Sequence, residues 1–487
     1  MPQPSRRWGT LVGVSLASFM TFLDNNVVNV ALPSIQRDLH VSLSGLEWIV
    51  SAYILVFSGL MLVGGRLSDI YGRRRMFLIG LAVFTGASLL SGLAGNETVL
   101  IAGRALQGVG AAMTVPSTLA IISETFGDAK ERARAIGISS AAGALSLALG
   151  PLAGGFISQH FHWGWIFLIN VPIGLATIAI AAYSMPARRP SSRRTLDVPG
   201  LLTSAVMLFS LTYALIEGHD EGWSSPLILA AFALAGVALA VLLAVETRTA
   251  DPMVDPSLFR SVVFSGGNAA LVLWGFGLIG VYFFTAMYLQ DVLGFSPTRA
   301  GASFVPMALL MALTASIAAP VARRFGAART VASGLTLIVV GLLLAARVGE
   351  HGRFIDLMPA FIALGIGSGF TMMPLNGAVI GVLPPERAGA ASGILNTGRE
   401  VSGLLGITVI GAILTGRQSS AIRGGATQLH AFLEGYQFAI AIAAVIVAVG
   451  IPVALATLPG AAPRTETAQP APSGAELEKA GRRPAAD

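Results

Sequence analysis

Apolar residues in this chain form long continuous runs, which are separated by short charged or Pro- and Gly-rich connections. A helix that crosses a ~30 Å hydrocarbon core needs about 20 apolar residues, and each run is long enough. Strands of a transmembrane barrel would instead alternate apolar and polar residues in short segments. Fourteen helices are predicted, at approximately 8–31, 46–66, 76–95, 98–122, 133–158, 164–184, 198–217, 226–245, 263–290, 298–319, 329–347, 356–383, 390–416 and 433–459. The pattern therefore predicts an all-α polytopic membrane protein with 14 transmembrane helices.

Composition agrees with this pattern, because 54% of the 487 residues are hydrophobic and only 11% are charged. Soluble domains carry about 25% charged residues, so a soluble fold is excluded. The chain has no cysteine, which excludes disulfides and thiolate metal sites. The sequence also lacks a phosphate-binding loop, zinc-ligand spacing and a Ser-His-Asp arrangement. We therefore predict that the protein is not an enzyme and binds no metal and no cofactor.

The basic residues predict the orientation in the membrane. If the N-terminus is cytoplasmic, most of the 31 Lys and Arg residues fall in cytoplasmic connections, and only six arginines lie on the opposite side. This asymmetry predicts a plasma-membrane protein with both termini in the cytoplasm. The net charge of +6 therefore reports orientation, and no binding to nucleic acid is predicted.

An internal repeat divides the chain. The loop after the second predicted helix, at 65–75, has a counterpart at 319–329, in which Gly72 aligns with Gly326. We predict an N-terminal six-helix bundle at 1–185, a cytoplasmic linker with two inserted transmembrane helices at 186–262, a C-terminal six-helix bundle at 263–459 and a disordered cytoplasmic tail at 460–487. Parallel halves of this kind commonly enclose a site at the membrane midplane and rock around it.

Motifs in the first half connect the chain to a known family. The loop at 65–75 and the stretch at 100–112 resemble two signatures of the major facilitator superfamily. Residues 23–33 and 165–172 look like the fourteen-helix drug/proton antiporter branch, although Asn26 stands where that branch usually has threonine. A fifth stretch matches the motif associated with antiporters through Gly150, Pro151, Gly154 and Gly155, with Ser146 in place of one expected glycine.

The resemblance implies a proton-coupled efflux transporter that exports hydrophobic drugs or antibiotics, cationic ones being one option, by alternating access. Its partners would be a lipophilic small molecule, protons and the lipid bilayer, and the protein would be a monomer driven by the proton gradient. One alternative is a proton-coupled transporter of one specific metabolite. Another is a non-transporting sensor or channel, which the lack of a soluble sensory domain disfavours.

Asp24 and Arg104 are the first candidates for proton coupling. At 1.5 Å per residue, both lie about 10 Å from the outer ends of their helices, and therefore at one depth. If the two helices are neighbours, as the family fold implies, burial disfavours the ionised carboxylate and the arginine favours it, so small changes in hydration would move the proton. The alternative is a static ion pair that fixes helix packing.

Arg399 and Glu400 form the second charged cluster within a predicted helix, near the midplane. Consecutive helical side chains diverge by ~100°, so we expect each residue to have a separate partner. We place both residues among the proton-coupling candidates, and Glu400, which departs from the family pattern, is a candidate for a second protonation site or an acceptor for a cationic substrate. Structural pairing is the alternative.

The loop after the second helix is a candidate conformational latch. The resemblance implies that Gly65, Asp69, Gly72 and Arg73 hold one conformation, with Asp69 accepting from Arg132 or another basic residue. A positive-inside anchor is the alternative. The repeat has Arg323 in place of Asp69, so any latch is one-sided.

Candidates for the substrate cavity are polar or aromatic residues within the predicted helices, since such side chains suit bulky lipophiles. They are Asn25, Asn29, Tyr53, Gln107, Trp274, Tyr282 and Met373. Ordinary helix packing is the alternative for each, and the two asparagines could equally join neighbouring helices.

Overall fold

The computed structural model describes residues 4–186, 197–249, 252, 254–383 and 388–460. These residues contain 14 helices long and apolar enough to cross a membrane, which confirms the predicted number and the all-α class. We number them spans 1 to 14: Arg6–Leu39, Leu43–Tyr71, Arg73–Gly92, Glu97–Thr125, Lys130–His160, Trp165–Ser184, Val198–Glu217, Pro226–Arg248, Val262–Val292, Pro297–Phe325, Ala327–Ala345, Phe354–Gly381, Ala391–Arg423 and Gln428–Thr457. Apart from Gly460, the predicted disordered tail lies outside the described residues.

Several spans contain breaks. They divide span 6 into Trp165–Leu168 and Asn170–Ser184, span 10 into Pro297–Ser303 and Val305–Phe325, and span 14 into Gln428–Ala448 and Gly450–Thr457. Span 9 follows the 3₁₀ helix Pro256–Arg260 and ends in the π-helical turn Tyr288–Val292. These breaks leave the fourteen crossings intact.

Most spans extend beyond the apolar runs that predicted them, because polar residues cap the helices. The side chains of Ser42 and Asn96 accept hydrogen bonds from the first turns of spans 2 and 4, and Asp128 does the same for span 5. Such caps satisfy backbone N–H groups that a helix start leaves unpaired. A hydropathy window detects the part of a helix within the lipid but not these polar ends.

Helix packing repeats between the first six spans and the last six. Span 1 packs against span 5, and span 4 packs against spans 2 and 3; equivalently, span 9 packs against span 13, and span 12 packs against spans 10 and 11. Spans 7 and 8 pack against each other, and span 7 also contacts spans 2 and 13. We propose on this basis that the two six-helix bundles and the inserted pair are separate structural units.

Gly72 and Gly326 explain the repeated loop in physical terms. Gly72 has φ 96° between spans 2 and 3, and Gly326 has φ 91° between spans 10 and 11. Glycine adopts this left-handed backbone region without the steric penalty that a Cβ atom brings. The two loops therefore share one sharp helix-to-helix turn.

Hydrogen bonds between the two bundles lie towards one face of the membrane. The opposite face carries the start of span 1 and the end of span 14. We name that face the terminal face and its opposite the far face. Among the described residues, three hydrogen bonds connect the bundles, and all lie towards the far face: Gln290 to the Val30 carbonyl, Thr298 N–H to Gln159, and the Thr298 hydroxyl to the Gly155 carbonyl. The far face is therefore closed in this conformation.

Candidate functional site

Asp24 lies at the centre of a buried polar network in the N-terminal bundle. The carboxylate is fully buried, and it accepts hydrogen bonds from three residues on two other spans. Arg104 donates to one oxygen at 2.5 Å, while Gln107 and Asn170 donate to the other at 2.9 and 2.7 Å. The predicted neighbours Asp24 and Arg104 are thus brought into direct contact.

Arg104 is also fully buried, and its guanidinium is held on several sides. Its Nε donates to the Ile49 carbonyl at 3.1 Å, and its Cζ lies 4.4 Å from the Tyr53 ring centroid and 5.7 Å from that of Phe167. One terminal nitrogen, Nη2, has no hydrogen-bond partner among the described residues. A buried cation of this kind is tolerated because an opposite charge and oriented acceptors replace its water.

Two of the predicted cavity residues, Gln107 and Tyr53, belong to this network. Gln107 accepts from Arg104 at 2.9 Å and donates to Ser88 at 2.8 Å, and it is fully buried. Tyr53 is 1% exposed and packs its ring on Arg104. Both residues therefore contact Arg104 in this conformation, because a buried arginine attracts the nearest acceptor and aromatic face, and their place in a substrate cavity stays a prediction.

Sequence reasoning missed Asn170 and Ser88 as site residues. Both are small polar residues within apolar stretches of spans 6 and 3, and this was the available signal. Hydropathy does not reveal which helix face they occupy. Their amide and hydroxyl groups complete the shell around Asp24 and Gln107.

Asn25 and Asn29 do not join span 1 to other helices through described bonds. The Asn29 side chain donates to the Asn25 carbonyl of its own span at 3.2 Å, and its Oδ1 lacks a partner in the described structure. The side chain of Asn25 is partly buried. Asn29 thus keeps one unused acceptor in span 1.

Arg399 and Glu400 contact each other directly, so the expectation of separate partners is wrong. Arg399 donates to Glu400 Oε1 from Nη2 at 2.8 Å and from Nε at 3.2 Å. Consecutive positions on a helix point about 100° apart, but the Arg399 side chain is long enough to fold back and reach Glu400. Arg399 Cζ also lies 5.8 Å from the ring centroid of Phe22 in span 1. The Arg399–Glu400 pair therefore contacts the N-terminal bundle at Phe22, which lies two residues before Asp24 in span 1.

The other cavity candidates lie apart on the C-terminal bundle. Trp274 and Tyr282 on span 9 are buried or partly buried, and their Nε1 and hydroxyl groups have no described hydrogen-bond partner. The Tyr282 ring lies 4.3 Å from that of Phe304, beside a small cavity that Phe361 also lines. Met373 on span 12 is 49% exposed. Unused donors beside aromatic rings suit a ligand with both polar and apolar surface.

The latch loop is assembled within one bundle. Arg73 lies 3.3 Å from Asp69 and 2.9 Å from Glu124, and it donates to the Ala120 carbonyl at the end of span 4. The predicted partner Arg132 does not pair with Asp69 in the described structure. Arg73 is the first residue of span 3, and the sharp turn at Gly72 brings it back beside Asp69 near the end of span 2. Gly65 packs against Pro116 of span 4.

The antiporter motif consists of close backbone approaches. A Cβ atom built on Gly150 would lie 2.6 Å from the Cβ of Asn26, and one on Gly154 would lie 3.1 Å from the carbonyl carbon of Val27. A Cβ on Gly155 would lie 2.8 Å from the carbonyl carbon of Pro297, on the other bundle. Pro151 approaches the same segment, because a Cβ on Gly301 would lie 2.7 Å from its carbonyl carbon. The motif therefore connects span 1 to the closed far face.

Replacing Gly155 by Ala is expected to hold the far face open. Overpacking costs about 1–3 kcal/mol, which is about a 5- to 150-fold change in the ratio of closed to open protein. Double electron–electron resonance between spin labels at Gly95→Cys and His351→Cys measures this ratio, because both positions are exposed on the far face in different bundles. Gly137→Ala is the matched control, since a Cβ there meets nothing within 4 Å. Equal label separations in both variants would contradict the assignment.

Comparisons with known proteins bear on this arrangement. A sequence model of the Major Facilitator Superfamily matches residues 14–407. A puromycin resistance protein of Streptomyces alboniger is 35% identical over 451 residues, covering 91% of this chain and 89% of that protein. A cephamycin export protein of Amycolatopsis lactamdurans is 37% identical, with 82% and 83% covered. A multidrug efflux pump of Mycolicibacterium smegmatis is 33% identical, with 85% and 82% covered.

Solved structures show the same fold. A bacterial homologue of the human lysosomal transporter Spinster, in an inward-facing and unoccupied conformation, gives a TM-score of 0.68 at 15% identity, covering 93% of this chain and 97% of that one. A POT family transporter gives 0.68 at 12% identity, with 93% and 99% covered. At these identities, the likeness concerns architecture alone.

Proposed function

Because the chain belongs to the Major Facilitator Superfamily, we propose that this multi-pass membrane transporter is a proton-coupled exporter of hydrophobic small molecules of the drug or antibiotic class. The observation that carries the proposal is full-length similarity to proteins named for resistance or export. Three of them are at least 33% identical and cover more than four fifths of this chain. No cofactor is part of the proposal.

Asp24 is the proposed site of the coupling proton. Its carboxylate is buried, paired with one arginine and closed off by two amides. Protonation removes the negative charge that holds Arg104, so the guanidinium must find new partners and the surrounding spans rearrange. Ionised Asp24 would accompany substrate capture, and protonation would accompany substrate release and resetting.

The orientation supplies the direction of transport. We infer from the basic residues that the terminal face is cytoplasmic, so the contacts at the far face would close this conformation towards the outside. Substrate would enter from the cytoplasm or the inner leaflet. A proton-motive force of about 150 mV supplies about 3.5 kcal/mol per proton, and this supports a gradient of about a few hundredfold at about 1.4 kcal/mol per decade.

The proposed substrate region lies between Arg399, Glu400 and the aromatic side chains of span 9. Because Arg399 and Glu400 neutralise each other at 2.8 Å, this region offers no single uncompensated charge. Neutral lipophiles fit it directly, whereas a cation would compete with Arg399 for Glu400. Trp274 and Tyr282 offer hydrogen-bond donors that lack described partners.

A dedicated exporter of one compound is the second candidate. It is favoured by relatives named for a single antibiotic, among them the cephamycin export protein. Both candidates share the fold and the proposed proton site. They differ in how many unrelated molecules the protein accepts.

The test uses acidified everted membrane vesicles with a fluorescent pH probe. Lipophilic cations, neutral antibiotics and small metabolites are added one at a time, and vesicles with the Asp24→Asn variant serve as control. Proton release by several unrelated lipophiles from the wild type alone supports multidrug export. Release by one compound favours the dedicated exporter, and release by none contradicts proton-coupled export of these classes.

A further inference from the structure

Glu47 is a buried carboxyl group that the proposed transport mechanism does not use. It lies in the first turns of span 2, close to the far face, and it is 3% exposed. Among the described residues, none donates a hydrogen bond to it. An ionised carboxylate without water, a hydrogen bond or a counter-ion costs several kcal/mol. The side chain is therefore neutral when it is packed this way.

Gly411 of span 13 provides the space for this side chain. A Cβ atom built on Gly411 would lie 2.6 Å from Glu47 Cδ and 2.9 Å from Oε2. Span 2 belongs to the N-terminal bundle and span 13 to the C-terminal bundle. The Glu47 carboxyl group therefore lies in the contact between the bundles, on the face that is closed.

The charged groups around Glu47 make its ionisation still less favourable. Glu217, the last residue of span 7, and Asp220, in the turn after it, lie beside the start of span 2, and both are negative. They are held nearby by Trp48 and Ser44, which donate to them at 2.7 and 2.9 Å.

Other charged groups on the neighbouring elements have their own contacts. Glu97 of span 4 lies over Gly45, and His219 bonds to Ser419 of span 13 at 2.8 Å. Arg417 of span 13 pairs with Glu434 of span 14. Glu221, one residue after Asp220, adds a further negative charge at this turn. Arg417 and His219 therefore have other partners and do not pair with the Glu47 carboxyl group.

We infer that Glu47 is a second proton-binding site, which takes its proton from the far side and, when protonated, holds the far face closed. Opening this face lets water reach the carboxyl group, which then loses its proton. The carboxylate cannot return to the contact with Gly411 without a proton. If the far face is extracellular, as the proposed function requires, external acid favours closure and resetting of the transporter.

Proton binding at Glu47 and closure of the far face favour each other. Because only the closed conformation requires the proton on Glu47, a rise in pH favours the open conformation. At pH values above the pKa that Glu47 has in the open form, the ratio of open to closed protein rises by up to about tenfold per pH unit. The inference rests on the proposed function only for its physiological role, since the conformational effect can be measured without substrate. The absence of native cysteine allows spin labels at Gly95→Cys and His351→Cys without background.

The experiment compares the closed fraction at about pH 6 and about pH 8 in the labelled protein, since one proton shifts this equilibrium by up to about 100-fold over two pH units. It uses the Asp24→Asn background, so that the proposed coupling proton does not contribute. Adding Glu47→Gln, which mimics the neutral carboxyl group, is expected to keep the far face closed at both pH values. Adding Glu97→Gln, a change of the same kind at the same face, is expected to leave the response intact.

The inference would be overturned if the closed fraction still depended on pH in the same way after Glu47→Gln. It would also be overturned if Glu97→Gln abolished the pH dependence as completely as Glu47→Gln does. Failure of Asp24→Asn to affect proton-coupled export would instead count against the proposed function and leave the Glu47 site standing. Glu217→Gln provides a second check. It removes a neighbouring negative charge, so the opening transition should move to lower pH, and a move to higher pH would contradict the repulsion argued above.

Discussion

Asp24→Asn is expected to reduce substrate-dependent proton movement in vesicles to the level of vesicles without the protein. Asparagine retains the size of the side chain and one acceptor for Arg104, but it can neither release nor bind the coupling proton. Movement of substrate down its own gradient need not disappear, because binding surfaces on span 9 are unchanged. The measurement is proton flux and substrate flux in the same vesicles.

The matched control for this prediction is Asp128→Asn. Asp128 caps span 5 with its side chain at an exposed position, and asparagine caps a helix about as well as aspartate. The same chemical change should therefore leave both fluxes at wild-type values. Coupled transport at the wild-type rate in the Asp24 variant would remove Asp24 from the mechanism.

Arg104→Gln is expected to destabilise the protein by about 3–5 kcal/mol, because it leaves the buried Asp24 without its counter-ion. Protonation of Asp24 relieves part of this cost, and coupling is lost because the proton then stays bound. The double variant Asp24→Asn with Arg104→Gln removes both charges and should recover most of the stability. Thermal unfolding of the purified variants measures the first effect, and proton flux measures the second.

The double variant separates packing from function. If the pair serves only to fix helices, recovery of stability should restore coupled transport as well. The proposed mechanism requires the opposite, namely a stable protein that does not couple. A double variant no more stable than Arg104→Gln alone would show that the two charges do not interact strongly, contrary to the 2.5 Å contact.

The number of spans and the repeated turn could be predicted because both depend on local chemistry. Apolar run length determines whether a helix can cross the bilayer, and Gly72 and Gly326 mark a turn that needs positive φ. Helix ends were less accessible, since capping residues such as Asn96 are polar and fall outside a hydropathy window. The packing of span 7 on spans 2 and 13 has no signal in periodicity.

The candidate site was predictable only in part. Asp24 and Arg104 could be predicted as neighbours because they lie at the same depth in the membrane and the family fold places their helices side by side. Charges within a membrane also need a partner. The same reasoning could not identify Asn170, since the face on which a residue lies within an apolar helix depends on tertiary packing. It also failed for Arg399 and Glu400, where side-chain length outweighs the angular separation of adjacent positions.

For a related reason the sequence could not identify the partner of Asp69, and the conformational latch itself stays a prediction. A loop with several basic residues offers Asp69 more than one partner, and sequence alone does not rank them. Arg73 contacts both Asp69 and Glu124, so it connects spans 2, 3 and 4 within one bundle. A latch between the bundles would require a conformation different from this one, in which hydrogen bonds join the bundles at the far face.

In the proposed mechanism a proton gradient drives export through Asp24. Purified protein in liposomes, with a pH gradient and equal substrate concentrations on both sides, tests it most directly. We expect a lipophilic substrate to accumulate on the acidic side, collapse of the gradient to abolish accumulation, and Asp24→Asn liposomes to accumulate none. Accumulation that persists without the gradient, or that is equal in the Asp24 variant, would contradict proton-driven export through Asp24.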